Sequence, residues 1–253
     1  MKKFKQLYVD GTFRICPRGF YQVLNIGGYY EDINGIVPVF LIPTRGKSEY
    51  LYNMIFNDVK KIIIDANINL SDIPKYIMAD FEVGLQRALK TSFPNSLIRV
   101  CFFHFVKCLW DRAKKYVLIK KESIKHTKIL IFILKLIPYI NIDEREDFFK
   151  KLEDFYSIKL NDNKCLKLIK YYRKNWINNS YINYTEISEE EYLFRTNNYL
   201  ENFHHLLNAT IEVYHPKVSY LIHKYKEYLI MLYQKVKESL VKDTKIEKKN
   251  CVL

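Results

Sequence analysis

The sequence has an odd number of cysteines, five in 253 residues, and no C-x-x-C pair. This usage is typical of reduced thiols in the cytosol or nucleus and not of a disulfide framework. No apolar stretch long enough for a signal peptide follows the basic residues 1–6. The longest apolar run, 129–140, is interrupted by Lys135 and Pro138 and is too short to span a bilayer. We therefore expect a soluble intracellular protein with no membrane partner.

Acidic residues are also scarce, with 28 Asp and Glu against 41 Lys and Arg, which gives a formal net charge of +13. A polyanion is the natural partner of such a chain, because neutralised phosphates release counterions. The chain is also rich in Lys, Ile, Asn and Tyr together, which is typical of an AT-rich coding sequence. Charge alone therefore favours a nucleic-acid partner only moderately.

The first hundred residues alternate between strand and helix patterns. The predicted strands are 7–10, 20–26, 37–42, 76–79 and 98–102, and Gly27 and Gly28 are expected to end the second. A helix is predicted from Ser48, and another from Phe81 to about Ser92. This is the element order of the ribonuclease H-like fold. The expected class is α/β, with an RNase H-like mixed five-stranded sheet flanked by helices.

Helical patterns dominate the rest of the chain, at 103–117, 128–137, 144–156, 165–176 and from Asn198. A polar stretch, 178–191, precedes Asn198. The last predicted helix, about 218–240, has an apolar stripe that either packs on its own domain, which we favour, or pairs with a second copy. That stripe consists of Val218, Ile222, Tyr225, Leu229, Leu232 and Val236. The charged residues after 241 are expected to fray.

Two aspartates, Asp10 and Asp80, each stand where a predicted strand ends. Sites in α/β proteins form at such positions, and two adjacent carboxylates make an oxygen-rich site for a divalent metal. Either aspartate alone could simply form a turn, since Asp-Gly is a hairpin signal. Together, on strands that can be neighbours, they favour the metal interpretation.

A third acid is expected from a later helix, and Glu201 is the best candidate. Glu201 could point into a groove, or it could complete a capping box in which Asn198 is the N-cap. Spacing alone leaves these two alternatives even. Glu82 is a weaker third acid and suits the first turn of a helix better.

Several other residues have both a functional and a structural interpretation. Cys101 and His104 could begin a zinc site, but no second local pair completes four ligands. His204, His205 or Cys108 could contribute through space, but a structural Cys/His pair is favoured and zinc is not expected. Trp176 could stack on an unpaired base or belong to the helical core. Basic residues could follow a phosphate backbone or form a solvated helix face; they are Lys107, Arg112, Lys114, Lys115, Lys120, Lys121 and Arg173.

Four motifs together resemble the transposases of Mutator-like elements. They are D-G-T-F from Asp10, A-D-F-E around Asp80, C-F-F-H-F from Cys101, and R-T-N-N-x-x-E-x-x-H, which contains Glu201. The likeness covers roughly residues 7–216. It implies an RNase H-like DDE catalytic domain in which Asp10, Asp80 and Glu201 bind metal and a helical insertion precedes the last acid.

The resemblance also implies a domain plan. We expect an RNase H-like core in 1–104, a helical insertion in 105–193, the final core helices in 194–241 and a charged tail in 242–253. Family members usually carry a DNA-binding zinc domain before the first strand, and here only a few residues precede it. A fragment, a truncated copy or a domesticated descendant would each explain this difference.

The implied chemistry is two-metal phosphoryl transfer with two Mg²⁺ (or Mn²⁺) ions. Asp10 would bridge both ions, while Asp80 and Glu201 would each complete one shell. The enzyme would cut DNA at the transposon ends and join the freed 3′-hydroxyl to target DNA. We expect nuclear localisation in a eukaryotic host, otherwise cytoplasmic, and a homodimer. The alternatives are a non-catalytic DNA-binding protein that retains the fold and a nuclease acting on RNA–DNA hybrids.

Overall fold

The computed structural model describes residues 4–116, 124–160, 162–177 and 198–250. The chain divides into two compact units, which are described separately below. The first unit comprises Met1–Ile98 with Asn197–Leu253, and the second comprises Arg99–Thr196. The predicted domain divisions after residues 104 and 193 remain predictions. The predicted polar stretch 178–191 lies outside the described residues, as do Lys120 and Lys121.

The centre of the first unit is a five-stranded mixed sheet in the order β3-β2-β1-β4-β5. Strand β1 pairs antiparallel with β2 and parallel with β4, and β2 pairs antiparallel with β3. The predicted α/β class and the mixed five-stranded sheet are confirmed. The strands are β1 Phe4–Thr12, β2 Gln22–Tyr30, β3 Gly35–Thr44, β4 Tyr76–Ala79 and β5 Leu97–Val100.

The prediction that Gly27 and Gly28 end the second strand was wrong. Both glycines lie inside β2, opposite Tyr8 and Leu7 of β1. A Cβ atom at Gly27 would lie 2.5 Å from Ile36 Cγ2, and one at Gly28 would overlap the Phe4 ring. These glycines therefore make room for neighbouring side chains, as glycine inside a strand often does, and do not terminate the strand.

Two helices cover one face of the sheet, α1 Glu49–Asp65 and α2 Val83–Ser92. Ser48 is the N-cap of α1, and its side chain accepts a hydrogen bond from Leu51 N, as the sequence pattern predicted. The buried positions of α1 recur every three or four residues and pack against alternate residues of β1, β2 and β4. This core includes Leu7, Val9, Leu24, Ile26, Tyr52, Phe56, Ile77 and Ala79.

The second unit is helical and contains α3 Phe102–Lys115, α4 Ile124–Leu136, α5 Ile142–Asp154 and α6 Asn163–Tyr172. Helices α5 and α6 continue directly into π-helical turns, Phe155–Lys159 and Arg173–Ile177. The core of this unit is aromatic. Phe149 stacks on Tyr172, and the Trp176 ring meets Phe105 edge-on with centroids 4.6 Å apart.

The opposite face of the sheet carries α7 Asn198–Ile211 and α8 Val218–Asn250. Helix α8 does not stop near residue 240 as predicted, and the charged segment continues it to Asn250. Its packing face matches the predicted stripe only in part. Leu232 is buried and Tyr225, Leu229 and Val236 are partly buried, but Val218 and Ile222 are exposed, and the buried Leu221 and Tyr228 lie outside the stripe. The contact of Tyr228 with Phe203 of α7 fixes this face.

In the described part of the chain, no helix is both long and apolar enough to cross a membrane.

Candidate active site

Asp10 and Asp80 occupy matching positions on neighbouring parallel strands. The register of β1 and β4 pairs Val9 with Ala79, and each aspartate is the next residue along the chain. Neighbouring strands lie about 4.8 Å apart, so this register brings the two residues side by side. The sequence predicted that these aspartates would be neighbours, and the structure brings them together as expected.

Asn25 lies opposite Asp10 on β2, the strand that flanks β1 on the side away from β4. The antiparallel register of β1 and β2 pairs these two residues directly, so their side chains share one face of the sheet. Val9 precedes Asp10 in β1, and Leu24 precedes Asn25 in β2. Both of these apolar residues belong to the core beneath α1 and α2. Asp10 and Asn25 therefore point to the face that carries α7.

His204 of α7 contacts both of these side chains. Its Nε2 atom lies 2.9 Å from Asn25 Nδ2, and its Nδ1 atom lies 3.5 Å from Asp10 Oδ2. The other oxygen of Asp10, Oδ1, accepts a hydrogen bond from Gly11 N at 2.8 Å. One carboxylate is thus oriented by its own strand and by a helix that follows much later in the chain.

These contacts define the protonation state of His204. Because the Asn25 amide nitrogen is a donor, Nε2 must accept, and the ring proton then lies on Nδ1, facing Asp10. Burial lowers the pKa of His204 to about 4, and the charge of nearby Asp80 opposes part of that effect. The imidazole is therefore neutral near pH 7.

Helix α7 has a second attachment to the sheet at Tyr199. The Tyr199 hydroxyl donates to Asn34 Oδ1 at 3.1 Å, and its ring lies 4.7 Å from that of Tyr29. Asn34 also accepts from the Tyr29 hydroxyl and adopts a left-handed backbone with φ 46°. Glu201 lies between Tyr199 and His204, so contacts on both sides fix its position along the helix.

The side chain of Glu201 is exposed, one turn before His204 on α7. Residues three apart on a helix are neighbours on its surface, so Glu201 is adjacent to the residue that contacts Asp10. The capping-box alternative depends on the side chain of Asn198, which lies outside the described residues. That alternative therefore stays open on the structure alone.

The donor atoms at this site match an oxygen-preferring divalent cation. Two carboxylates lie on adjacent strands, and Asn25 Oδ1 is buried without a hydrogen-bond partner among the described residues. Such oxygen ligands suit Mg²⁺ or Mn²⁺. Within the described ranges, however, no three His, Cys, Asp or Glu residues are arranged to hold a metal ion. Asp10 and Asp80 could supply two oxygen ligands, but Glu201 does not form a three-residue group with them.

Glu82 lies near Asp80 but is held by other groups. Its Oε1 accepts from the Tyr52 hydroxyl at 3.0 Å, and that hydroxyl accepts from Gln22 Nε2 at 2.7 Å. Burial raises the pKa of Glu82, and the charge of Asp80 adds to the increase. Glu82 is the N-cap residue of α2 but makes no capping hydrogen bond with its side chain. It therefore belongs to a hydrogen-bond chain on the α1 side of the sheet.

In the second unit, Cys101 and His104 lie at the start of α3. Cys101 is buried and is the N-cap residue, while His104 is partly buried one turn before Cys108. Burial raises the pKa of the Cys108 thiol, and His104 opposes part of this increase. The role of the C-x-x-H pair remains a prediction.

The residues predicted to bind DNA have different surroundings. Lys107, Lys114 and Lys115 are exposed on α3, where Lys114 pairs with Asp111. Arg112 lies over the ring of Tyr171, 4.2 Å from its centroid. These four basic residues lie on a single helix.

Arg173 and Trp176 are already engaged inside the second unit. Arg173 forms a bidentate salt bridge with Glu153 and a second salt bridge with Glu146. Its guanidinium also lies over the Phe149 ring. Trp176 is only 2% exposed. These placements agree with the core alternative for Trp176 and leave no exposed indole face for a base.

The contacts by which three residues hold the site together were not predicted from the sequence. Asn25 lies in the middle of a strand, Tyr199 occupies an apolar position, and His204 was weighed only as a metal ligand. The E-x-x-H spacing of Glu201 and His204 could have indicated a shared helix face. The contacts of Asn25 and Tyr199 join distant parts of the chain, so no local sequence pattern predicts them.

The mixed sheet and its adjacent aspartates define an α/β domain with a candidate acidic site. Residues 6–108 match the family model described as the MULE transposase domain, where MULE denotes a Mutator-like element. This match agrees with the resemblance that the motifs had indicated. The matched range includes Asp10, Asp80, Cys101 and His104 and ends before Glu201. No curated protein matches the chain.

Proposed function

We propose that this chain is the catalytic domain of a DNA transposase, which cleaves a DNA strand and joins the new 3′-hydroxyl to target DNA. The MULE domain implies a transposase and a DNA partner at a general level. The observation that carries the finer proposal is the parallel register that sets Asp10 beside Asp80, on the sheet face to which His204 anchors α7. The strand order supports the further assignment to the RNase H-like fold.

Asp10, Asp80 and Glu201 are the residues proposed to hold the metal ions. When bound, two Mg²⁺ ions would lower the pKa of the attacking hydroxyl and neutralise charge on the leaving oxygen. Glu201 would complete the site from α7 once its exposed side chain turns toward the sheet. The alternative third acid, Glu82, is held by Tyr52 on the other side of the sheet.

The chain's own residues prepare the carboxylates for this role. The hydrogen bond from Gly11 N holds one oxygen of Asp10, and the neutral ring of His204 faces the other. Gln86 Nε2 donates to the backbone carbonyl of Asp80 at 3.0 Å, which fixes the chain where β4 ends. Positioning of this kind reduces the reorganisation needed before phosphoryl transfer.

A plasmid-nicking assay with Mg²⁺ or Mn²⁺ tests the proposal. The wild-type chain should convert supercoiled plasmid to nicked circles, and Asp80→Asn should abolish nicking. Asp58→Asn is the matched control, because Asp58 is an exposed aspartate of α1 that pairs only with Lys61 among the described residues. DNA binding with no metal-dependent cleavage by the wild type would instead identify a non-catalytic DNA-binding protein. A preference for RNA–DNA hybrids would identify a nuclease of that specificity.

A further inference from the structure

A concave basic surface lies within the helical unit, which does not include Asp10, Asp80 or Glu201. It is a cleft of about 480 Å³ between α3 and the end of α6. We call it the α3–α6 cleft, and its lining residues are Arg112, Tyr116, Lys167, Lys170, Tyr171, Lys174 and Asn175. Four of these seven residues carry a positive charge, and none carries a negative one.

The cleft is built from two helix faces. Lys167, Lys170 and Lys174 follow one another at spacings of three and four, which places them on one side of α6 and the π-helical turn after it. Arg112 of α3 and Tyr116, the C-cap residue of that helix, line the other side of the cleft. The three lysines are exposed, whereas Arg112 and the two tyrosines are half-buried.

The two tyrosines of the cleft make cation–π contacts with Arg112. The Arg112 guanidinium lies 4.2 Å from the centroid of Tyr171 and 5.9 Å from that of Tyr116. Stacking on aromatic rings restricts the guanidinium and leaves its edge available to an anion. Asn175, whose amide donates to Tyr171 O at 2.7 Å, fixes the backbone of the π-helical turn.

Several acidic residues of this unit are paired with cations that do not line the cleft. Arg173, which precedes Lys174 in the chain, pairs with Glu146 and Glu153. Asp111 pairs with Lys114, and Asp147 pairs with Lys151. Among the described residues, no ion pair includes Arg112, Lys167, Lys170 or Lys174. Positive charge is therefore concentrated in the cleft, where an ordinary solvated helix face would mix both signs.

We propose that the α3–α6 cleft binds the phosphodiester backbone of DNA, with the three lysines and Arg112 contacting successive phosphates. This inference rests on the proposed function for its choice of polyanion. The cleft itself is defined independently of the acidic residues. Phosphate contacts of this type position DNA without reading its sequence.

The test measures DNA affinity against salt concentration by fluorescence anisotropy with a short labelled duplex and with a single strand of the same sequence. The cleft variant carries Lys167→Gln, Lys170→Gln and Lys174→Gln. Its matched control carries Lys128→Gln, Lys150→Gln and Lys159→Gln, three exposed lysines of the same unit that do not line the cleft. Both variants lose the same charge, so only the place of the loss differs.

We expect the cleft variant to bind the duplex roughly 10- to 100-fold more weakly than wild type at 0.1 M salt, with a salt slope shallower by about 3. Each single Lys→Gln variant of the cleft should reduce the slope by about 1, which keeps the test valid if the triple variant folds poorly. The control should keep the wild-type slope. A cleft variant that binds both DNA forms like wild type would overturn the proposal.

Other outcomes separate this proposal from the proposed function. Equal weakening of both triple variants would show a general charge effect and would also overturn the cleft as a site. If the wild type binds and nicks DNA in either of these cases, the proposed function stands while the cleft proposal fails. If the wild type binds no DNA, both fail together.

Discussion

His204 of α7 lies with its Nδ1 atom 3.5 Å from Asp10 Oδ2, while its Nε2 atom meets the amide of Asn25 at 2.9 Å. A helix from the C-terminal part of the chain is thus tied to the first two strands by a buried polar contact. A buried polar group that loses its partner is costly, so this contact fixes how α7 docks on the sheet. The position of Glu201 follows from it.

Replacing His204 tests this role, because the ring positions Asp10 and does not itself take part in the proposed reaction. We expect His204→Ala to lower the plasmid-nicking rate and the affinity for Mn²⁺ by about 10- to 100-fold, the usual effect of losing a residue that orients a metal ligand. His205→Ala is the control, since His205 is exposed on the same helix. Equal behaviour of the two variants would show that the Asp10 contact has no influence on the site.

A tight approach of strands β2 and β3 predicts that Gly27→Ala destabilises the first unit. The added Cβ would lie 2.5 Å from Ile36 Cγ2 and 3.3 Å from Val37 O, and the latter is backbone that cannot turn aside. Overpacking of this kind costs about 1–3 kcal/mol. Urea unfolding followed by circular dichroism measures the change. Gly46→Ala should have little effect, because the nearest atom to its Cβ would be 3.8 Å away.

The N-cap of α6 gives a pH-dependent prediction. Asp162 accepts hydrogen bonds from Lys164 N and Cys165 N. Burial alone would raise the pKa of Asp162, but these hydrogen bonds outweigh it and lower the pKa. A carboxyl whose pKa is lowered on folding adds stability above its unfolded pKa of about 3.9, and this contribution is lost as the pH falls through the folded value.

Asp162→Ala should therefore reduce the free energy of unfolding by about 1 kcal/mol near neutral pH. The difference from wild type should start to shrink as the pH falls below about 3.9 and should disappear once the pH is below the lowered pKa of the folded carboxyl. Both tryptophans, Trp110 and Trp176, belong to the helical unit, so their fluorescence reports its unfolding in urea. Asp162→Asn retains the cap and should resemble wild type near neutral pH. A constant difference at every pH would contradict the capping explanation.

The buried position of Trp176 separates its two interpretations. Trp176→Phe should leave DNA affinity unchanged, since the indole is packed against Phe105 and Tyr172. The same substitution should lower the free energy of unfolding of the helical unit by about 1–3 kcal/mol, because it leaves a space in a packed core. A loss of DNA affinity without a loss of stability would revive the base-stacking interpretation.

Local patterns were sufficient for much of the sheet and for the placement of the two aspartates. Strand β4 has the bounds that the sequence predicted, because Ile77 and Ala79 alternate with the residues that face the other side. Ser48 and the apolar spacing of α1 similarly fixed the start and buried face of that helix. Asp80 directly follows β4 as predicted, whereas β1 continues two residues beyond Asp10, which had been expected to end it. The adjacency of the two aspartates nevertheless followed once β1 and β4 were taken as neighbours.

Contacts between distant segments were not visible in the sequence. Gly27 and Gly28 were predicted to end a strand. The side chains for which they make room, Ile36 and Phe4, lie on other strands and could not be identified from the local sequence. The buried face of α8 was predicted only in part, since the burial of Tyr228 depends on where it meets Phe203 of α7. The link from His204 to Asp10 and Asn25 likewise required the folded arrangement.

Binding of Mn²⁺ measured by electron paramagnetic resonance tests the central claim most directly, which is that Asp10, Asp80 and Glu201 form one metal site. Asp10→Asn, Asp80→Asn and Glu201→Gln should each weaken binding, while Glu238→Gln, which removes an exposed acid of α8, should bind like wild type. Wild-type Mn²⁺ affinity in Glu201→Gln would contradict the account and leave the third ligand to another residue.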